Sequence, residues 1–203
     1  YCKKFKKKMF FTSTSEIYGK SNKIPFVEND DRLLGSTDTK RWCYSTAKAL
    51  VEHSMFAKLD KDRNSFIIFR LFNVYGDEQA VDWVIPEFVS KAIQDQDIII
   101  HGDGSQTRCF CHVSDIANAF TLALEKADGE IINVGNNSEP ISIKDLALKI
   151  IKLTNSKSKL NCWIPNMARM DTSNIGTAVF LISLIALCAA LVYFSSSNSY
   201  LGP

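Results

Sequence analysis

Tyr44-Ser-Thr-Ala-Lys48 places a phenol and an ammonium four residues apart. On a helix that spacing stacks the two side chains on one face, so Lys48 can sit beneath Tyr44. A tyrosine of pKa near 10 is a poor base at neutral pH. A neighbouring positive charge favours the phenolate, and this predicts that Lys48 draws Tyr44 towards its working range for a proton transfer coupled to hydride transfer. A Tyr-x-x-x-Lys spacing also arises by chance on exposed helices, so its meaning depends on the segments around it.

Upstream, an apolar run leads into Ser13-Thr14-Ser15-Glu16-Ile17-Tyr18-Gly19. Downstream, a second run ends in Arg70-Leu71-Phe72-Asn73-Val74-Tyr75-Gly76. Polar groups just beyond the carboxyl ends of parallel strands are where open α/β sheets bind ligands, so these segments and the Tyr44 helix are expected to converge on one crevice.

The elements that must hold them follow from pattern. Strands are expected at Met9–Ser13, Phe66–Phe72, Ile98–Ile100 and Ile131–Val134, with helices over Thr46–Leu59 and Val84–Ile93. Ser114 is expected to cap a helix running to about Glu125, and Ser142 with Asp145 to form a capping box for one ending near Leu153. Strands separated by helices of this length indicate an α/β fold with a parallel sheet.

Composition excludes several classes. The 203 residues are 46% hydrophobic, enough to bury a core, and 24 basic against 22 acidic residues leave a net charge of +2. No basic stripe argues for nucleic acid, and the cluster of Lys3, Lys4, Lys6, Lys7 and Lys8 reads as a solvated end. The six cysteines form no C-x-x-C pair and read as reduced thiols of a cytoplasmic domain. Cys109-x-Cys111 with His112 lacks the further ligands of a metal site, so no metal is expected.

From 175 to 194 the chain carries no charge, and at about 1.5 Å rise per residue that length spans a bilayer core of roughly 30 Å. Lys152, Lys157, Lys159 and Arg169 precede it and 195–203 is uncharged, which predicts a tail anchor with the main body facing the cytoplasm. The expected organisation is therefore a body over 1–160, a linker over 161–174, a transmembrane helix over 175–194 and a short tail over 195–203.

In order and spacing, S-T-S-E-I-Y-G, W-C-Y-S-T-A-K, R-L-F-N-V-Y-G, V-I-P-E-F-V, G-D-G-S-Q-T-R-C-F and N-V-G-N resemble the NAD-dependent epimerase/dehydratase family of extended short-chain dehydrogenases. The match runs from about Phe10 to Thr154 and draws its specificity from the ordered set. It implies a partial Rossmann-like parallel sheet with a small α/β substrate subdomain, NAD as cofactor, a UDP-sugar as substrate and a homodimer. By the same resemblance Thr14 hydrogen-bonds the sugar, Tyr44 is the catalytic tyrosine and Lys48 holds the nicotinamide ribose. Asn73 contacts the substrate diphosphate, and Arg108 meets a phosphate, for which its planar fork is suited.

Glu16 bears on the reaction. A carboxyl group beside the sugar ring can act as acid or base, and Thr-Ser-Glu together with T-R-C-F is most similar to UDP-glucuronate decarboxylases, which work through a 4-keto intermediate. A UDP-hexose 4-epimerase is the alternative enzyme, and a non-catalytic, membrane-tethered remnant the alternative of another class. The G-x-x-G-x-x-G turn that cradles the cofactor diphosphate is absent from the 203 residues, so the chain is expected to be truncated at its N-terminus.

Overall fold

The computed structural model describes residues 1–2, 4–59 and 66–163. These fall into two compact units, one built from 1–12 and 66–163 and the other from 13–59.

The larger unit is organised by a three-stranded sheet in the order β1-β2-β7. Its central strand β2 (Phe66–Leu71) is buried along its first five residues, because a strand covered on both faces has no solvent side on which to alternate. It pairs in parallel with β7 (Glu130–Val134), Ile67 opposite Glu130 and Leu71 opposite Val134. Strand β1 (Met9–Thr14) forms the other edge and carries the chain out of this unit at its last two residues. Helix α3 (Val113–Lys126) covers one face, with Ile67, Phe69, Ala123 and Ala127 buried together and Phe10 and Phe120 packed on them. The Phe69 and Phe120 ring centroids are 4.4 Å apart.

A second core lies between α2 (Val84–Ile93), β4 (Ile98–His101) and α4 (Ile143–Leu153), around Phe88, Ile98, Ile100, Leu146 and Ile150. Fully burying each of these side chains contributes about 1.5–3 kcal/mol. Strand β9 (Leu160–Trp163) pairs in parallel with β4, so regular structure takes up the first three residues of the stretch read as linker. Two two-residue pairings complete the unit: β3 (Val74–Tyr75) runs parallel to β6 (Cys111–His112), and β5 (Thr107–Arg108) runs antiparallel to β8 (Ile141–Ser142).

In the smaller unit a 3-10 turn over Ser15–Tyr18 follows β1, and α1 (Arg41–Leu59) follows a loop. Two boundaries correct the sequence reading. Helix α1 begins at Arg41, five residues before Thr46, because Trp42 is 7% exposed and turns the first turn inward. Helix α3 is capped by His112, whose Nδ1 accepts from the Ser114 N–H at 3.3 Å, where Ser114 itself was expected to cap. Ser142 caps α4 as expected, accepting from the Asp145 N–H at 2.9 Å.

Among the described residues no helix is long and apolar enough to cross a membrane. The transmembrane helix expected over 175–194 lies outside the described residues.

Candidate active site

The smaller unit brings together Thr14, Glu16, Tyr44 and Lys48. Thr14 ends β1, 8% exposed, and its Oγ1 caps the 3-10 turn by accepting from the Glu16 N–H at 3.2 Å. The turn closes at Gly19, whose φ of 64° is a left-handed conformation. A Cβ at Gly19 would lie 2.3 Å from the Leu33 carbonyl oxygen, so no larger residue fits there without displacing backbone. Ile17 and Tyr18 are fully buried, the latter stacked on Phe26 at 4.6 Å, and this pins Ser15 and Glu16 at the strand end.

Helix α1 is stitched to that strand end at two points. The Ser45 hydroxyl, fully buried, donates to the Glu16 carbonyl at 2.7 Å. The Ser13 hydroxyl donates to Glu52 Oε1 at 2.5 Å, both residues being about 5% exposed or less. Tyr44, next to Ser45 on the same helix, lies within the influence of the Thr14 hydroxyl. The Lys48 ammonium lies 5.8 Å from the Tyr44 ring centroid.

The electrostatics correct one expectation. Burial pushes the Tyr44 phenol above its ordinary value, the Glu16 charge pushes it further, and only the Thr14 hydroxyl, whose bond favours the phenolate, acts against them. Beside this phenol, Lys48 is half-buried. Its own ammonium is disfavoured by burial, which lowers its pKa. The phenol is therefore a weaker acid than a free tyrosine, because desolvation is the largest of these influences.

Arg41 joins this group and escaped the sequence reading. Its Nε and Nη2 donate to Glu16 Oε2 and Oε1, each at 3.2 Å, while its guanidinium packs 5.3 Å from the Trp42 ring centroid. The pair is exposed, 63% and 37%, and so adds little to stability, but its two-pronged geometry fixes the orientation of the carboxylate. The signal was the i, i+3, i+7 spacing of Arg41, Tyr44 and Lys48, hidden by starting the helix too late. Ser13, Ser45 and Glu52 left no comparable trace, since their partners are 29 to 39 residues away in sequence.

Asn73 and Arg108 belong to the larger unit. Asn73 follows β2 with φ of 39°, a left-handed conformation that asparagine tolerates better than most residues. Its Nδ2 donates to the Cys109 carbonyl at 3.2 Å, and its own carbonyl accepts from the Cys111 N–H at 3.1 Å. Arg108 sits on β5 opposite Ile141, its side chain exposed and its Nη1 donating to the Thr107 carbonyl at 2.8 Å. The loop before it is held by bonds from the Ile143 N–H to the Gln106 carbonyl and the Lys144 N–H to the Gly104 carbonyl, both at 3.1 Å. Each unit thus supplies a local constellation, one suited to proton transfer and one presenting a cation on a braced strand.

Comparison with known proteins agrees with this architecture. The model of the NAD dependent epimerase/dehydratase family matches residues 1–135. A UDP-N-acetyl-alpha-D-glucosaminuronate decarboxylase of Bacillus cytotoxicus is 45% identical over 162 residues, covering 77% of this chain and 49% of that protein. The dTDP-D-glucose 4,6-dehydratase of Homo sapiens is 34% identical over 172 residues, 83% and 47% of the two chains. The structure is similar to UDP-glucuronic acid 4-epimerase from Bacillus cereus in complex with NAD, with a TM-score of 0.70, 28% identity and coverage of 81% and 52%. The chain spans about half the length of these relatives. With its parallel β2–β7 pair, its Rossmann-like α/β architecture and its family match, the chain belongs to the NAD-dependent epimerase/dehydratase family.

Proposed function

We propose that the chain carries the catalytic and substrate-binding residues of an NAD-dependent nucleotide-sugar decarboxylase of the UDP-glucuronate type. The observation that carries the reading is the grouping of Thr14, whose hydroxyl acts on the Tyr44 phenol, with Lys48 5.8 Å from the Tyr44 ring centroid and Glu16 two residues beyond Thr14. The 45% identity to a decarboxylase of a UDP-uronic acid supports it.

NAD fits this constellation at one end. The half-buried Lys48, next to Tyr44, would hold the nicotinamide ribose, whereas the described residues offer no glycine-rich turn for the diphosphate. When bound, the cofactor would accept the hydride from the sugar's C4 in the oxidation and return it in the closing reduction. Tyr44 takes the proton of the C4 hydroxyl while Thr14 hydrogen-bonds the same oxygen. The resulting C4 ketone is β to the C6 carboxylate, so the C5–C6 bond breaks with release of carbon dioxide and its electrons pass into the enolate of that ketone. Glu16, oriented by Arg41, relays a proton from water to C5 of that enolate, and Tyr44 returns its proton to the C4 oxygen when the ketone is reduced. Arg108 pairs with the diphosphate, and Asn73 contacts it.

The test is incubation of the full chain with UDP-glucuronate and NAD, followed by mass analysis. The expected product is a UDP-pentose lighter than substrate by one carbon dioxide. A C4 epimer of unchanged mass would overturn decarboxylation in favour of a 4-epimerase, the reading favoured by the likeness to the Bacillus cereus epimerase. Absence of any turnover would favour a non-catalytic chain.

A further inference from the structure

We infer that Asn136, the last residue of the N-V-G-N run, is a positioning residue that sets the aim of Arg108. The inference rests on the reading of Arg108 as the phosphate-binding residue and adds the device that holds it.

The segment after Arg108 is fastened at three successive residues. Asn73 takes Cys109 and Cys111 through its Nδ2 and its carbonyl. The residue between them is held by a second asparagine, the Asn136 Nδ2 donating to the Phe110 carbonyl at 3.3 Å. The Asn136 amide has one orientation available. Its Oδ1 accepts from both the N–H and the hydroxyl of Ser138, at 2.9 and 2.8 Å, so the NH2 group must face Phe110. Asn136 therefore ties the turn before β8 to the connection between β5 and β6 that follows Arg108, and β8 is also the strand that pairs with Arg108 itself.

An exposed arginine has many rotamers, and its affinity for a phosphate depends on how well its backbone is preset. Arg108 is held on one side by Ile141 across the β5–β8 pair and on the other by the fastened run of Cys109 to Cys111. Two elements of that frame meet at one half-buried amide, and no charge of its own competes for the phosphate.

The test is a double-mutant cycle on the full chain, with UDP as the probe and calorimetry as the readout. Asn136→Ser retains a hydroxyl acceptor for the 136–138 turn but is too short to reach Phe110, and it should weaken UDP binding about fivefold, one neutral hydrogen bond's worth. Arg108→Ala should weaken it about thirtyfold. The double variant should bind no worse than Arg108→Ala alone, because Asn136 acts only through Arg108. Ser138→Ala, which disturbs the turn and leaves the Phe110 bond, should bind as wild type does. An undiminished loss from Asn136→Ser in the Arg108→Ala background, or no loss at all, overturns the positioning role while leaving Arg108 in place. Wild-type chain without UDP affinity, or Arg108→Ala with full affinity, overturns the phosphate reading and this inference with it.

Discussion

The strand end at Thr14 and the strand at Arg108 present polar side chains in opposite ways. Around Thr14 the supporting groups are buried: Ser45 is fully enclosed, Ser13 and Glu52 nearly so, and Tyr44 feels enough desolvation to shift its ionisation. Around Arg108 the side chain stands in solvent, and the support is backbone pairing and amides. A group that exchanges a proton gains from partial exclusion of water, because burial changes its pKa. A group that meets a doubly charged diphosphate gains from staying hydrated until the ligand arrives, since burying an unpaired guanidinium would cost several kcal/mol. The contrast predicts that substitutions at the first site act on turnover and folding, and those at the second on binding.

The largest effect expected is that of Tyr44→Phe. Removing the proton acceptor should lower kcat by about 10²–10⁴ with UDP affinity unchanged, measured by product formation and calorimetry on the same preparation. A loss of affinity comparable to the loss of rate would erase the division between the two regions.

Next comes the buried stitch. Glu52→Ala strips the Ser13 hydroxyl of its acceptor and opens a cavity against α1, and should cost about 2 kcal/mol of stability in urea unfolding. Glu52→Gln keeps an acceptor oxygen in the same place and should recover most of that loss. Equal destabilisation by both would mean that the carboxylate's charge, not its hydrogen bond, matters at this position.

How far such features are legible in sequence depends on the range of their causes. Strand β2 was visible because burial on both faces writes itself as an unbroken apolar run from Phe66 to Phe69. Helix α2 was visible from Val84 to Ile93, and the Ser142 cap of α4 from a three-residue spacing. The start of α1 was missed because Arg41-Trp42-Cys43 carries no apolar stripe, and Trp42 is buried by tertiary packing. Strands β3, β5, β6 and β8 have two residues each, too few for any period, and exist through their partners. In the site, Tyr44 and Lys48 share one helix and announced themselves. The bonds from Ser13, Arg41 and Ser45 join residues 25 to 39 apart, and only the folded chain brings them together.

The smallest effect is also the sharpest probe of the buried region. The folded-state pKa of Tyr44 is raised above the ordinary value of about 10, so the folded chain keeps this proton where the unfolded chain has lost it. Its contribution to stability is present below about pH 10 and is lost as pH rises through the folded value. Tyrosinate absorbance of wild type minus that of Tyr44→Phe should therefore titrate above the free tyrosine midpoint. Glu16→Gln removes a raising charge and should move the midpoint down, whereas Thr14→Val removes the lowering hydrogen bond and should move it up. If both variants moved it the same way, burial alone would set this phenol, and the strand end would be scaffolding for Tyr44 with no electrostatic part in its chemistry.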